Sequence, residues 1–215
     1  MNDDSTVSAE SQATTSAASV KSQAASRDDA VDDHSKNYLT EAEITRFLKA
    51  SKLGRHGVRD HAMMLLCYRH GLRVSELIGL RLSDVDLESG RLYVHRLKGS
   101  LSTHQPLDGD ELRLIRAWLR VRSLHAQAGL PYLFLSERGP FVRQSVNYLV
   151  SEIGKRAGLD HRVNPHQLRH SCGFALANAG YDTRLLQDYL GHRSISHTVR
   201  YTRTASARFE GLWRL

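Results

Sequence analysis

Three separate segments of this 215-residue sequence hold side chains that could bind an oxyanion or act as a nucleophile. The first contains Arg73, the second His166 and Arg169, and the third His192 and Tyr201. His166 and Arg169 share one face of a predicted helix because they are three residues apart. An arginine fork binds phosphate through paired hydrogen bonds, and a tyrosine hydroxyl can act as a nucleophile. Together these residue types fit the cleavage of a phosphate ester without a metal ion.

Each of these residues also has an ordinary structural interpretation. An arginine at a helix start is commonly solvated or paired with an acid, and Tyr201 alone would be a core or interface tyrosine. His166 and His170 are four residues apart and could ligate a metal together, but the sequence has no HExxH pattern and no third ligand at an obvious spacing. Lys98 lies in a predicted turn and by itself would be a solvated lysine. Only the combination favours a shared site.

The combination resembles the tyrosine recombinases, the phage-integrase family. The family's pattern is an arginine, a lysine, His-x-x-Arg, a histidine or tryptophan, and a tyrosine, in that order. The matching residues are Arg73, Lys98, His166, Arg169, His192 and Tyr201. The surrounding motifs Gly-Leu-Arg-x-Ser-Glu-Leu, Leu-Arg-His-Ser and Asp-Tyr-Leu-Gly-His match as well, and the resemblance covers about residues 38–215.

The resemblance implies a site-specific DNA recombinase that needs no cofactor and no metal. Tyr201 would attack phosphorus and form a covalent 3′-phosphotyrosyl intermediate. The two arginines would bind the phosphate oxygens, and His192 would donate to the same oxygens. Lys98 would protonate the departing 5′ oxygen, and His166 would act as a base or proton acceptor near the tyrosine.

Further stretches resemble the short fimbrial-type members of this family. They are His-Arg-Leu-Lys, His-Ser-Cys-Gly-Phe-Ala-Leu-Ala-Asn and Asp-Thr-Arg-Leu-Leu-Gln-Asp-Tyr-Leu-Gly-His-Arg. Such recombinases invert a promoter-bearing DNA segment and so switch surface fimbriae on and off. Many other members carry an additional N-terminal DNA-binding domain, where this chain has 36 residues of tail.

The elements that must position these residues are predicted to be mainly helical. Thr40 and Glu43 form a capping box, and an apolar stripe follows them. Helical periodicity recurs in seven further segments, at about 58–70, 74–80, 108–125, 142–157, 165–179, 182–190 and 194–203. Pro165 suits a helix start, because its missing N–H would have no partner there in any case.

One part of the sequence has the alternating period of a small antiparallel sheet. The three predicted strands are 85–87, 92–94 and 103–107, with turns at 88–90 and 98–100. The predicted fold class is therefore α+β, mainly α: a helical tyrosine-recombinase catalytic domain with a small three-stranded antiparallel sheet.

The net charge of +7 is divided unevenly along the chain. Residues 1–36 contain seven acidic and three basic residues, eight serines and no Phe, Trp or Tyr. Such a segment buries too little apolar surface to offset its chain entropy, so we predict a disordered acidic tail. Residues 37–215, the predicted catalytic domain, contain 27 basic and 16 acidic residues, a net of +11 that favours a polyanionic partner.

Composition excludes several other classes of protein. No apolar run approaches the roughly 20 residues that span a bilayer, and the acidic N-terminus is not a secretory signal. Two cysteines, Cys67 and Cys172, cannot form a disulfide framework and are predicted to be buried, reduced thiols. We therefore expect a cytoplasmic, nucleoid-associated protein without a membrane partner.

The resemblance also implies partners. They are double-stranded DNA with inverted-repeat sites, three further copies of the chain in a homo-tetramer on DNA, and DNA-bending accessory proteins. Phe209, Leu212 and Trp213 have helical spacing and would dock either on a neighbouring protomer or on their own domain.

Two alternative functions remain open at this point. A DNA-binding transcription regulator on the same fold would do no chemistry, and it would need neither Tyr201 nor Lys98. A relaxing topoisomerase would use the same phosphotyrosine chemistry, but the fimbrial-type motifs and the missing N-terminal clamp weigh against it.

Overall fold

A computed structural model describes residues 37–96 and 101–203 of the protein. The predicted tail 1–36, the segment 97–100 that contains Lys98, and residues 204–215 lie outside this range. All described residues belong to one compact unit. Within them, no helix is both long enough and apolar enough to cross a membrane.

The described residues form eight α-helices and five short strands. In chain order these are α1 Glu41–Ser51, α2 Gly57–Arg69, α3 Val74–Gly79, β1 Val85–Asp86, β2 Arg91–Val94, β3 Thr103–Pro106, α4 Gly109–Arg122, β4 Leu135–Ser136, β5 Gly139–Pro140, α5 Arg143–Arg156, α6 Pro165–Asn178, α7 Thr183–Leu190 and α8 Ser196–Arg203. A 3-10 turn, Leu82–Asp84, precedes β1. The predicted mainly helical fold is confirmed, whereas the two-residue strands β4 and β5 were not predicted.

The predicted three-stranded sheet is confirmed in the order β1-β2-β3, antiparallel throughout. Leu92 in the central strand pairs with Val85 on one side and Gln105 on the other. Leu92 and Val94 face the core, as the alternating pattern requires. Strands β2 and β3 lead into and out of the segment that contains Lys98.

Side-chain caps fix where several helices begin. Thr40 and Glu43 form the predicted capping box, with the Thr40 N–H donating to Glu43 Oε2 at 2.8 Å. Asn164 forms a second box with Gln167 at the start of α6, and Asp182 caps α7. Because capped ends are defined to within a residue, α6 and α7 present their side chains at fixed positions.

The apolar core surrounds α2, which packs against α1, α4 and α6. A second buried cluster joins the last three helices through Cys172, Ala177, Leu186, Leu190 and Tyr201. Cys67 and Cys172 are both free and buried, as predicted. Burial raises the pKa of each thiol to about 12, so neither is a nucleophile at neutral pH.

Candidate active site

The two arginines of the predicted site meet at the C-terminal end of α7. Arg73 is the N-cap residue of α3, and its Nη2 donates to the Gly191 carbonyl at 3.3 Å. Arg169 is buried in α6, and its Nη2 donates to the Leu190 carbonyl at 2.6 Å. Its Nη1 donates to the Gly71 carbonyl. Both forks are therefore oriented by backbone carbonyls next to His192.

Two glycines make this close approach possible. Gly71 has a φ of +54°, and a Cβ there would lie 2.4 Å from Leu190 Cδ2. Gly191 ends α7 in the left-handed conformation, and a Cβ there would lie 2.9 Å from Arg96 Cγ. Both positions require glycine for backbone conformation and for space.

A buried carboxylate, Glu76, holds three guanidinium groups around the site. Its oxygens lie 2.6 Å from Arg73 Nη1, 2.7 Å from Arg96 Nη1 and 3.9 Å from Arg169 Nη1. Burial alone would raise the pKa of Glu76, but the charge of Arg96 and the hydrogen bonds from Arg73 outweigh it and lower the pKa. Glu76 therefore stays ionised and fixes the positions of the arginines.

Arg96, like Glu76, belongs to this cluster and was not among the site residues predicted from the sequence. Its side chain is fully buried and donates to the carbonyls of His70, at 3.1 Å, and of Tyr189. Its Nε has no hydrogen-bond partner among the described residues. The Arg96 backbone N–H donates to Ser102 Oγ at 3.1 Å, which joins the two ends of the segment that contains Lys98.

Tyr201 lies on α8, only 1% exposed, with its ring enclosed on several sides. The Phe174 ring meets it edge-on at 5.1 Å between centroids, and the His192 ring stacks at 6.1 Å. The third neighbour is Gly173, where a Cβ would lie 2.8 Å from the tyrosine ring. The missing side chain at Gly173 is therefore what admits the ring.

The hydroxyl of Tyr201 forms a hydrogen bond of 2.8 Å with Nδ1 of His170. Burial raises the pKa of Tyr201, although the charges of Arg169 and Arg200 oppose the shift. Burial and Arg200 lower the pKa of His170 to about 4. At neutral pH the pair is therefore a neutral phenol bonded to a neutral imidazole.

Two further histidines flank the arginines. Burial, followed by the charges of Arg169 and Arg73, lowers the pKa of His192 to about 3. Nδ1 of His192 is 2.8 Å from Thr198 Oγ1. His166 is more exposed, and partial burial and the same two arginines lower its pKa. Both rings are neutral at pH 7.

A chain of aromatic contacts links the start of the described region to the tyrosine. The Tyr38 ring lies 4.2 Å from that of Phe174, which in turn contacts Tyr201. The Leu39 N–H donates to Ser171 Oγ at 2.8 Å. The residues that follow the acidic segment are thus packed on α6, directly behind the site.

The structure brings together four of the six predicted site residues. They are Arg73, Arg169, His192 and Tyr201. His166 lies beside this group, and Lys98 falls outside the described residues. The three residues that were missed, Glu76, Arg96 and His170, all stand inside the quoted motifs, so the signal was present. Only their burial and their contacts, which the sequence does not display, distinguish them from ordinary polar residues.

One acidic group among the described residues has oxygens close enough to hold a metal. It consists of Asp108, Asp110 and Glu111. Arg69 donates from both Nη atoms to Asp110, at 2.7 Å each, and Nη1 lies 3.5 Å from Glu111. These carboxylates are therefore already paired with a guanidinium.

Comparison with known proteins identifies the family. The profile described as the Phage integrase family matches residues 37–208. The chain is 48% identical to the type 1 fimbriae regulatory protein FimB of Escherichia coli (strain K12) over 183 residues, covering 85% of this chain and 92% of FimB. Identity to FimE of the same strain is 44% over 180 residues, covering 83% of this chain and 91% of FimE.

Solved structures agree with this assignment. The crystal structure of XerA recombinase has a TM-score of 0.72 at 31% identity, and the match covers 82% of this chain. The same match spans 64% of the XerA chain, so this protein corresponds to less than two thirds of that structure. XerH recombinase bound to palindromic difH substrate, in a post-cleavage complex, has a TM-score of 0.70 at 25% identity, covering 83% of this chain and 53% of XerH. By sequence and by fold, the chain belongs to the phage integrase family of tyrosine recombinases.

Proposed function

We propose that this protein is a site-specific recombinase that inverts a promoter-bearing DNA segment between two inverted repeats. The observation that carries the proposal is the convergence of Arg73, Arg169, His192 and Tyr201 at the end of α7. The relatives FimB and FimE are named as regulators of type 1 fimbriae, which supports control of fimbriae or of another surface structure.

Double-stranded DNA is the substrate that the charge favours. Residues 37–215 carry 27 basic and 16 acidic residues, more positive charge than the site itself requires. The XerH structures contain difH DNA, in states before and after cleavage. A cluster of guanidinium groups beside a tyrosine fits a phosphodiester, because paired donors bind its non-bridging oxygens.

In the proposed reaction Tyr201 Oη bonds to phosphorus and the bond to the 5′ oxygen breaks. Arg73 and Arg169 donate to the non-bridging oxygens, where negative charge increases in the transition state. His192 can donate while neutral in the tautomer in which Nδ1 accepts from the Thr198 hydroxyl, because that tautomer carries the ring hydrogen on Nε2.

Two further roles complete the proposal. Lys98 protonates the departing 5′ oxygen. His166, which lies near Arg169 and Arg73, acts as a proton acceptor. The covalent link conserves the energy of the broken bond, so a new 5′ hydroxyl can attack it and rejoin the DNA without ATP. No cofactor and no metal enters the scheme.

The assembly proposed for inversion is a homo-tetramer that holds two DNA sites. One pair of strands is exchanged, a four-way junction forms, and the second pair follows. DNA-bending accessory proteins would bring distant sites together. The C-terminal residues Phe209, Leu212 and Trp213, outside the described range, are candidates for contact with a neighbouring protomer.

Covalent capture of DNA tests this function. The protein is incubated with a nicked duplex that carries the inverted repeat flanking its gene, and the mixture is run on a denaturing gel. We expect a denaturant-stable protein–DNA band with the native protein and none with Tyr201→Phe. Arg73→Ala and Arg169→Ala should retain DNA binding in a gel shift and lose at least about 100-fold in cleavage rate.

The alternative functions give different results in the same experiment. Binding without any covalent band would indicate a transcription regulator. A band on every duplex, whatever its sequence, would indicate a relaxing topoisomerase. Loss of the folded state in both arginine variants would mean that these arginines are structural.

A further inference from the structure

The nucleophile of the proposed reaction already has a hydrogen-bond partner, and it is not one of the six residues of the family pattern. Nδ1 of His170 lies 2.8 Å from the hydroxyl oxygen of Tyr201. The two rings are 5.9 Å apart between centroids and inclined at 51°. This is the distance at which a proton can pass directly between a phenol and an imidazole.

The surroundings of His170 keep its ring neutral in the absence of DNA. Burial lowers the pKa of His170 most, and the charges of Arg200 on α8 and of Arg169 and His166 on α6 lower it further. His192 and Tyr201 also face the ring. A neutral imidazole can accept a proton through Nδ1 when its other nitrogen carries the hydrogen. A bound phosphodiester would bring negative charge next to these arginines and so favour the protonated ring.

We propose that His170 is a further catalytic residue, which accepts the proton of Tyr201 while the tyrosine attacks DNA. This inference rests on the proposed function, because it requires Tyr201 to be the nucleophile. The phenolic oxygen bonds to phosphorus, its proton moves to Nδ1 of His170, and the bond from phosphorus to the 5′ oxygen breaks. The departing oxygen takes a separate proton from Lys98, so the charges balance.

The position of His166 is compatible with this assignment. His166 is one turn earlier on α6 and more exposed than His170, so it faces the solvent side of the same helix stripe. It is the natural next acceptor for a proton that leaves His170. The immediate partner of the hydroxyl is nevertheless His170, because that contact is formed in the structure.

The substitution His170→Asn tests the transfer. The Asn amide oxygen can accept the same hydrogen bond, since it reaches about as far as Nδ1, but it cannot be protonated. Cleavage is measured on two nicked duplexes, one with the ordinary 5′ bridging oxygen and one with sulfur at that position. Sulfur leaves without a proton, so the second duplex removes the need for an acid but not the need for a base.

We expect His170→Asn to slow the cleavage of both duplexes by about 100-fold or more, with gel-shift affinity for DNA unchanged. Lys98→Ala, the comparison variant, should be slow on the ordinary duplex and recover on the sulfur duplex. The control variant His56→Asn changes the N-cap residue of α2, at the end of the helix away from Gly71. It should cleave both duplexes at the native rate.

Three results would overturn the proposal. They are a native rate for His170→Asn on the ordinary duplex, recovery of that variant on the sulfur duplex, or loss of DNA binding in step with loss of cleavage. Thermal unfolding shows whether the variant is folded, and His170→Gln replaces it if it is not. Failure of the proposed function is distinct, because a covalent band formed by Tyr201→Phe would exclude Tyr201 whatever His170 does.

Discussion

Single residues prepare this site before any substrate arrives. Glu76 is shared by three guanidinium groups, and each of them also donates to a backbone carbonyl at the end of α7. Groups fixed in this way need little reorganisation when charge develops on a phosphate. The sequence could identify Arg73 and Arg169 because they stand in recognisable motifs. It could not show that Glu76 serves both, because that depends on contacts between distant parts of the chain.

Neutral histidines beside the arginines make the stability of the fold depend on pH. In the unfolded chain His170 and His192 take up protons near pH 6.5, whereas in the folded protein their pKa values are about 4 and about 3. The unfolded state therefore binds more protons, and the free energy of unfolding falls as the pH drops below 6.5 towards these lowered values.

We expect His192→Asn to make this fall shallower, by at most about 1.4 kcal/mol per pH unit. The Asn amide can still form a hydrogen bond with Thr198 Oγ1, so the packing is largely retained. Urea unfolding at a series of pH values between 7 and 4 measures the effect. His104→Asn, an exposed position on β3, is the control, and equal slopes for the native protein and His192→Asn would contradict the prediction.

At the scale of elements, two buried side chains attach the sheet to the helical part of the site: Gln105 in β3, which donates to the Tyr189 carbonyl at 2.9 Å, and Arg96. Arg96 directly follows β2. Its side chain contacts Glu76 on α3 and the Tyr189 carbonyl on α7. Its backbone N–H donates to Ser102 Oγ, across the segment that contains Lys98. This arrangement couples the position of that segment to the position of the arginine cluster.

Replacing Arg96 with Met should destabilise the protein by about 3 kcal/mol, because it removes one partner of a buried ion pair. The cleavage rate should fall further than DNA affinity, since residue 96, two positions before Lys98, would lose its side-chain contacts with Glu76 and Tyr189. Urea unfolding and the nicked-duplex assay measure the two effects. Arg116→Met, an exposed arginine on α4, should change stability by no more than about 0.5 kcal/mol, and an equally small change in Arg96→Met would refute the coupling.

The elements themselves were largely predictable. The helix predicted at about 142–157 is Arg143–Arg156, and that predicted at 165–179 is Pro165–Asn178. Apolar periodicity marks both helices, and Pro165 also marks the start of the second. Strands β4 and β5 have two residues each, too few to show any period. Elements that span several periods of the apolar pattern were therefore predictable, whereas the two-residue strands β4 and β5 were not.

At the scale of the whole molecule, opposite charges are separated along the chain. Residues 1–36 carry a net charge of −4, and residues 37–215 carry +11. Binding to DNA through phosphate contacts releases counterions and weakens steeply as salt rises. If the acidic segment competes with DNA for the basic surface, this competition also weakens as salt rises.

Neutralising the acidic segment should strengthen DNA binding at low salt. The variant replaces four aspartates with asparagine, which keeps the length of the chain and removes four negative charges. The positions are Asp28, Asp29, Asp32 and Asp33. We expect the dissociation constant at 50 mM NaCl to fall a few-fold, and the difference from the native protein to shrink at 200 mM. Fluorescence anisotropy across a salt series measures both. A difference that is absent at 50 mM would show that the segment does not compete with DNA.

The aromatic contacts behind the site have a practical consequence for handling the protein. Tyr38 packs on Phe174, and Phe174 packs on Tyr201, so the first residues of the described region stand two rings from the hydroxyl that attacks. We expect a bulky fusion partner joined immediately before Tyr38 to disturb its contact with Phe174 and, through it, the position of Tyr201. A small fluorophore at the same point would lie two ring contacts from Tyr201, close enough to respond to a displacement of its ring.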